Sequence, residues 1–502
     1  MKHPNKPIQT YDNSRELHNQ NHFNIWYNQK ERKGLLLNDV MAGGKTYSIG
    51  CENGFIHLID KVQPNLHWGV VDVPRKENMT DDVLLDGLYD LSQILKRPVR
   101  ITRNVSEFER YLTKKKLQNN NFLIIFLNTT HYFCGTSEKK DDVIIDLIKM
   151  FDLQEQGFYL ADEFHKGMNK NVEQTKENSG WHADERKMKF VRYKMFQKFQ
   201  GITKFVIGFT ATPLSTMKKD DEFYIIPKLD KSKRVVRTSV IDRINYYDPP
   251  FVQSFNKTTG KWESSVEENY PTEVLQDFVT SIINKNTIIN YIIKKYDLNI
   301  PSIKTSGIIK INNLTNYLNV KRLEFMFNSI DVNVPFQWAV TTHEGIKLFE
   351  YDNIKKESTQ IPHDYDDDQL LYDNMNDPNH PLRFLGVIEK GSLGINIKNL
   401  YGVLSFRQPT TYDNDGIPVI NNTVQFCGRP IRLKVKYEDL VESLPKVLKV
   451  NPQEIHEIWA EINSAIYFLP DDDFHRDVES DLITNYYNKS EVYEKLNEIS
   501  GL

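Results

Sequence analysis

The chain is 502 residues long, too long for one ordinary domain and close to three at about 150 residues each. Its 39% hydrophobic and 26% charged residues exclude a wholly disordered chain. A net charge of −4 excludes a globally basic field, so any polyanion must be held by local basic patches. Three cysteines, Cys51, Cys134 and Cys427, exclude a disulfide scaffold and a zinc site built from cysteine alone. No apolar run approaches the roughly 18 residues of a membrane span. The opening MKHPNKPIQTYDNS has no signal-peptide core. A soluble protein in a reducing compartment, with no membrane contact, is the expectation.

A polar stretch of about thirty residues leads into Gly34-Leu35-Leu36-Leu37, a short apolar run expected as a buried strand. A Gly-rich turn and a helix pattern follow. Similar runs recur at Trp68–Val73, Phe122–Leu127, Gly157–Ala161 and Phe205–Phe209, separated by helical or polar stretches. This alternation predicts a parallel sheet with crossover helices. After Pro213 the chain turns charged and turn-rich, at Lys218–Asp221, Lys228–Arg234 and Asp248–Pro250. The stretch 241–300 reads as a connector with a helix near Val274–Tyr296. A second alternating series passes through Ser306–Ile311, Gln337–Thr342, Phe384–Ile388 and Gly402–Phe406. Within it, the very polar Tyr351–Pro381 reads as a long surface loop. From about 436 the pattern is mostly helical, with Trp459, Ile462 and Ile466 at helix-like spacing. The expected layout is an α/β domain over 1–240, a connector over 241–300, a second α/β domain over 301–435 and a helical extension over 436–502.

Five blocks carry chemistry. Asp39-Val-Met-Ala-Gly-Gly-Lys-Thr46 follows the first strand and precedes a helix-compatible stretch. A strand, a loop of small residues (Gly43 and Gly44 among them) and a helix start gather backbone N–H groups where the helix dipole is positive, which suits a phosphate. Lys45 would reach the β- and γ-phosphates and Thr46 would hold Mg²⁺. The block departs from G-x-x-x-x-G-K-[ST] at its first position, Asp39, and on its own a tight βα turn without a ligand stays open. Phe158-Tyr-Leu-Ala-Asp-Glu-Phe-His165 is an apolar strand ending in two carboxylates and a histidine. A strand-end acid, Asp162, would complete the Mg²⁺ shell, and its neighbour Glu163 would orient or deprotonate the attacking water. Val206-Ile-Gly-Phe-Thr-Ala-Thr-Pro213 runs from a buried strand into a hydroxyl pair, Thr210 and Thr212. Gly391-Ser-Leu-Gly-Ile-Asn396 follows a strand of the second series. Gln425-Phe-Cys-Gly-Arg-Pro-Ile-Arg432 sets Arg429 and Arg432 three apart, as on one helical face. A pair of guanidinium forks matches γ-phosphate oxygens.

In this order the blocks resemble the motifs of superfamily 2 helicases and translocases with a DExH box. Motif I corresponds to Asp39–Thr46, motif II to Asp162–His165 and motif III to Thr210–Thr212. Motif V corresponds to Gly391–Asn396 and motif VI to Gln425–Arg432. Val73-Pro-Arg-Lys76 resembles motif Ia, Ser306–Lys310 resembles motif IV, and Gln20 stands where many members keep an adenine-reading glutamine. Asp39 and Met41 are similar to the restriction-enzyme-like and chromatin-remodeller-like branches, whose motif I often reads D-x-M-G-x-G-K-T; Ala42 replaces that glycine. The resemblance covers about 15–435. It implies two RecA-like parallel-sheet domains in tandem, with a connector and a small, mostly helical tail, and with ATP and Mg²⁺ bound in the cleft between the domains. Lys45, Glu163, Arg429 and Arg432 would be catalytic, and Thr46 and Asp162 would hold the metal. Gln20, Gly43, Gly44, Gly394 and Gln425 would join the nucleotide site. His165, Gln425 and Thr210–Thr212 would couple nucleotide state to the grip on nucleic acid.

Other features have plainer readings. Lys187–Lys198 interleaves basic and aromatic residues and could track a phosphate backbone, or pack Phe190, Tyr193 and Phe196 as an amphipathic helix. His131 and Cys134 have metal-like spacing with no second pair nearby, as buried core residues would. The acidic runs Tyr365–Asp368 and Asp471–Asp473 read as solvated loops. The expected activity is an ATP-driven helicase or translocase acting without sequence preference, on DNA over RNA. The alternative is a nucleotide-regulated nucleic-acid-binding subunit of a larger restriction, replication or transcription complex, with protein partners. Abundant Asn, Lys, Ile, Tyr and Phe fit an AT-rich genome, and a cytoplasmic location, or a host-cell interior for a phage or mobile-element gene, is expected.

Overall fold

The computed structural model describes residues 13–31, 33–40, 44–64, 66–73, 82–118, 121–129, 138–164, 195–211, 222–234, 238–249, 251–256, 261–266, 271–311, 320–342, 345–363, 365, 368–387, 397–406, 421–445 and 450–500. The chain divides into two compact units, Met1–Val235 and Val236–Leu502.

The first unit is built on seven strands: β1 (Gly34–Asn38), β2 (Trp68–Val73), β3 (Val99–Thr102), β4 (Leu123–Thr129), β5 (Gly157–Ala161), β6 (Phe205–Thr210) and β7 (Phe223–Ile226). They lie in the order β3-β4-β2-β5-β6-β1-β7, and each pairing is parallel. Parallel strands covered on both faces must be apolar on both, which is why they read as continuous apolar runs. β2, β5 and β6 are buried at every position. Alternation sends Leu35 and Leu37 to one face, where Phe23, Trp26, Phe55, Leu88 and Leu91 cover them. Leu36 points to the other face, among Phe108, Leu112, Ile144, Ile148 and Phe196. The unpredicted β3 and β7 are short edge strands with partly exposed positions, too mixed to stand out as apolar runs. A doubly wound parallel sheet of this order, with Gly44-Lys45-Thr46 after β1, is a RecA-like domain. Its ligand edge is the carboxyl end of the strands.

The second unit holds an eight-stranded sheet in the order β14-β13-β12-β15-β11-β16-β17-β8. The strands are β8 (Val240–Tyr247), β11 (Ser306–Lys310), β12 (Phe336–Thr342), β13 (Gly345–Asp352), β14 (Glu357–Ile361), β15 (Leu382–Val387), β16 (Leu400–Ser405) and β17 (Ser464–Pro470). β8, β17, β16, β11, β15 and β12 are joined by parallel pairings. β13 and β14 add an antiparallel meander at one edge. A separate hairpin pairs β9 (Phe251–Asn256) with β10 (Lys261–Val266). The Thr272–Lys295 helix lies so close to the sheet that a Cβ on Gly402 would stand 2.4 Å from Ile282 Cδ1, and one on Gly307 would stand 2.7 Å from Phe278 Cζ.

Three expectations differ from this. The 241–300 stretch, read as a connector with a helix near Val274–Tyr296, does hold that helix, at Thr272–Lys295, but the helix packs on the second sheet and β8 joins that sheet as a strand. The mostly helical tail also supplies β17, seven buried residues between β16 and β8; its preceding helix ends at Ile462, so Ile466 lies on a strand and not on a helical face. The Tyr351–Pro381 loop contains β14 and an Asp368–Asn376 helix whose Leu371 and Met375 are fully buried. Buried charge ties these late segments together. Lys285 of the Thr272–Lys295 helix pairs with Glu461 and donates to Ser464 Oγ. Lys489 pairs with Glu461 and with Asp242 of β8, both at 2.7 Å. Removing Glu461 would leave the buried Lys285 an uncompensated charge, a loss of up to about 3–5 kcal/mol.

Candidate nucleotide site

The sheet of the first unit puts three sequence blocks side by side. β6 lies between β1 and β5, so the ends of β1 and β5 stand two strand spacings, about 10 Å, apart. Main-chain bonds join the first block to the third, and the second to β2. Asp39 N donates to Thr210 O at 3.0 Å, and Asp162 N donates to Asp72 O at 2.9 Å.

After β1 the backbone reaches Gly44, whose φ of +88° is one that a side chain rarely tolerates. Lys45 is buried, and its ammonium donates to the Val40 carbonyl at 3.1 Å. The cation thus folds across its own loop. Thr46 is half-buried, and its side chain caps no helix amide. The helix that follows, Tyr47–Gly50, is only four residues long. The dipole invoked from the sequence is accordingly small, which leaves Lys45 as the charged group that the described loop residues could offer an anion. Met41, Ala42 and Gly43 lie outside the described residues.

After β5, Asp162 and Glu163 are half-buried while Phe164 is fully buried. Glu163 N donates to Asp162 Oδ1 at 2.9 Å, and Glu163 has a φ of +47°. Phe164 fills the space above Gly208, where a Cβ would stand 2.4 Å from its ring. The acidic corner is therefore anchored by an aromatic wedge against β6. Among the described residues no three His, Cys, Asp or Glu side chains gather to hold a metal ion. A magnesium site needs no such cage, since one or two protein oxygens and substrate phosphates suffice; Thr46 and Asp162 fit that donor set.

Two groups here escaped the sequence reading. Asp72, a fully buried carboxylate on β2, accepts from Tyr159 OH at 3.1 Å and Asn128 Nδ2 at 3.3 Å. A lone acid inside the apolar run Trp68–Val73 was its signal. Arg15 of the Asn13–Tyr27 helix places Nε 3.2 Å from Asp39 Oδ2, an ion pair without hydrogen-bond alignment. That helix is held to the sheet by His18, in contact with Pro227 O at 2.9 Å, and by His22, in contact with Tyr224 OH at 2.8 Å. Burial, aided by His18, lowers the His22 pKa. A narrow cleft beside β1, with no room for a water molecule, is lined by Arg15, His18, Asn19, Asn38, Asp39 and Pro227. Gln20 is half-buried, one position off the buried stripe Arg15, Asn19, Phe23 and Trp26, and does not line that cleft.

In the second unit Gln425 is buried on the Asn421–Cys427 helix. Arg429 opens a three-residue 3₁₀ turn, and Arg432 is already extended, bridging Thr238. The two arginines therefore do not share one α-helical turn, because Pro430 and the return to extended backbone end the helix. Lys434 braces the turn. Its ammonium donates to Pro430 O and Arg432 O, both at 2.6 Å, and to Ser239 Oγ at 3.3 Å. Burial, with Arg432 and Lys285 nearby, lowers its pKa well below the ordinary lysine value. Gly394 with the rest of Gly391–Asn396, and also His165, Thr212, 74–76, 187–194, His131 and Cys134, lie outside the described residues.

No family model and no curated protein matches the chain. Solved structures of restriction enzymes and helicases do. The ATP-dependent Type ISP restriction-modification enzyme LlaBIII bound to DNA matches at 12% identity and a TM-score of 0.46, over 96% of this chain and 33% of that one. The helicase MrfA bound to DNA matches at 10% identity and 0.45, over 94% and 51%. The Hef helicase domain of Pyrococcus furiosus matches at 11% identity and 0.39, over 93% and 99%. The chain thus spans about a third of the restriction enzyme and half of MrfA. The TM-scores of all three lie below 0.5. Among the described residues no helix is long and apolar enough to cross a membrane.

Proposed function

We propose that the chain is an ATP-dependent nucleic-acid helicase or translocase. The observation that carries the reading is the edge of the first sheet, where Lys45 and Thr46 follow β1 and Asp162 and Glu163 follow β5, with only β6 between. Bound ATP would supply the transferable phosphoryl group, and Mg²⁺ would offset its charge. Lys45 would leave Val40 O to take β- and γ-phosphate oxygens, and Thr46 with Asp162 would hold the metal. Glu163 accepts the proton of the attacking water. Arg429 and Arg432 are assigned by the motif resemblance to the charge that builds on the γ-phosphoryl, and Gln425 and Gly394 are assigned by it to the nucleotide site.

With a net charge of −4, contact with nucleic acid would go through local basic stripes to phosphates, and so be sequence-tolerant and salt-dependent. The test is the ATPase rate against single-stranded DNA, duplex DNA and RNA at two salt concentrations. Stimulation by DNA above RNA, weakening with salt, is expected. Stimulation by one short sequence alone, or activity only with an added partner protein, would replace this reading with the partner-dependent subunit.

A further inference from the structure

The phosphate loop begins with a carboxylate. Asp39 is 3% exposed, and a buried anion beside a site for a polyphosphate would repel the ligand through a low-dielectric interior. Its Oδ1 accepts from Val40 N at 2.8 Å, an interaction that does not cancel its charge. The neutralising group comes from elsewhere in the fold. Arg15, 6% exposed, sets Nε 3.2 Å from Asp39 Oδ2. The same guanidinium reaches the far end of the loop: a Cβ on Gly44 would stand 3.3 Å from Arg15 Nη1. One arginine thus pairs with the first residue of the loop and lies over the position where the glycine preceding Lys45 would carry a side chain.

We propose that Arg15 is a positioning residue of the phosphate site, neutralising Asp39 so that an acidic loop accepts a nucleoside polyphosphate. This rests on reading Asp39–Thr46 as a nucleotide site. It assigns the Asn13–Tyr27 helix a part in phosphate affinity and explains how a carboxylate is tolerated at the loop's first position. The charge balance makes a specific demand. Removing the arginine alone should weaken nucleotide binding, and removing the carboxylate as well should restore it.

The experiment is equilibrium binding of fluorescent ADP to the full chain as wild type, Arg15→Gln, Asp39→Asn and the double variant, with thermal unfolding in parallel. Asn keeps the acceptor for Val40 N, so the change is chiefly one of charge. Arg15→Gln should weaken binding by about tenfold or more. Asp39→Asn should bind as tightly as wild type or tighter, and the double variant should return to within about threefold of wild type. Wild-type affinity in Arg15→Gln, or a double variant no better than Arg15→Gln, would overturn the proposal while leaving the nucleotide site standing. If Arg15→Gln does not fold, Asp39→Asn decides, and weakened binding there overturns it. A wild-type chain that binds no ADP removes both the proposal and the nucleotide site.

Discussion

The Glu163 amide donates to the Asp162 carboxylate at 2.9 Å, and Glu163 takes a left-handed φ of +47° to make that contact. A non-glycine residue in this region costs about 1–2 kcal/mol, and such strain tends to persist where function requires the geometry. Glu163→Gly should therefore raise unfolding stability by about 0.5–1 kcal/mol, after glycine's own entropic cost, while abolishing turnover. Glu163→Gln should retain ATP binding and lose hydrolysis. Denaturant unfolding and ATPase assays check both. Near wild-type hydrolysis in Glu163→Gln would remove the residue from the role of base.

The division between legible and illegible parts follows from where each signal is stored. Lys45, Asp162 and Glu163 stand out because their chemistry is contiguous with the apolar strands that carry it. β2, β5 and β6 could be read for the same reason, being buried on both faces. β8 could not, since Val240 and Ile241 are buried while the rest of Val240–Tyr247 is partly or fully exposed. β17 is apolar after Ser464, but it follows a helix after one residue, Asn463, so Ile466 merged with the helical spacing of Trp459 and Ile462. Arg15 was hidden for a different reason: its partner Asp39 meets it only through tertiary packing. Its one local trace is the stripe Arg15, Asn19, Phe23 and Trp26 at helical spacing.

Arg432 holds to its scaffold in part through its backbone. Its carbonyl accepts from Ser239 Oγ and Lys434, both at 2.6 Å, and alanine keeps that carbonyl. Arg432→Ala should therefore fold and retain most of its nucleotide affinity. Its turnover should fall by about tenfold or more, since arginines in related phosphoryl-transfer sites are worth about 10³–10⁵ in rate. Steady-state ATPase kinetics beside nucleotide binding make the comparison. Unchanged stimulated turnover would exclude Arg432 from the reaction.

Lys304 offers a pH test independent of catalysis. It is 2% exposed and donates to Asn374 O at 2.8 Å and His380 O at 2.9 Å. Burial, with Arg383 nearby, pushes its ammonium down to about 8 from 10.5, against a small pull from Asp377. Between those two values the unfolded chain holds a proton that the folded chain has released. Stability should thus rise with pH through that window, and the cost of the buried charge is fully present below it. The whole effect is worth on the order of 3 kcal/mol at most. Urea unfolding of wild type and Lys304→Met at about pH 7.5 and about pH 10 isolates it. The difference in unfolding free energy, wild type minus variant, should grow with pH, and a flat difference would count against the lowered pKa.

Nucleotide chemistry at the β1 edge, driven by nucleic acid, is most directly tested by the ATPase rate of wild type and Lys45→Ala with and without single-stranded DNA. The wild-type rate should rise by about tenfold or more on adding DNA, and Lys45→Ala should show no turnover in either condition, with its thermal unfolding near that of wild type. A wild-type chain that hydrolyses no ATP with any polynucleotide, or a folded Lys45→Ala variant that hydrolyses it at the wild-type rate, would contradict the account.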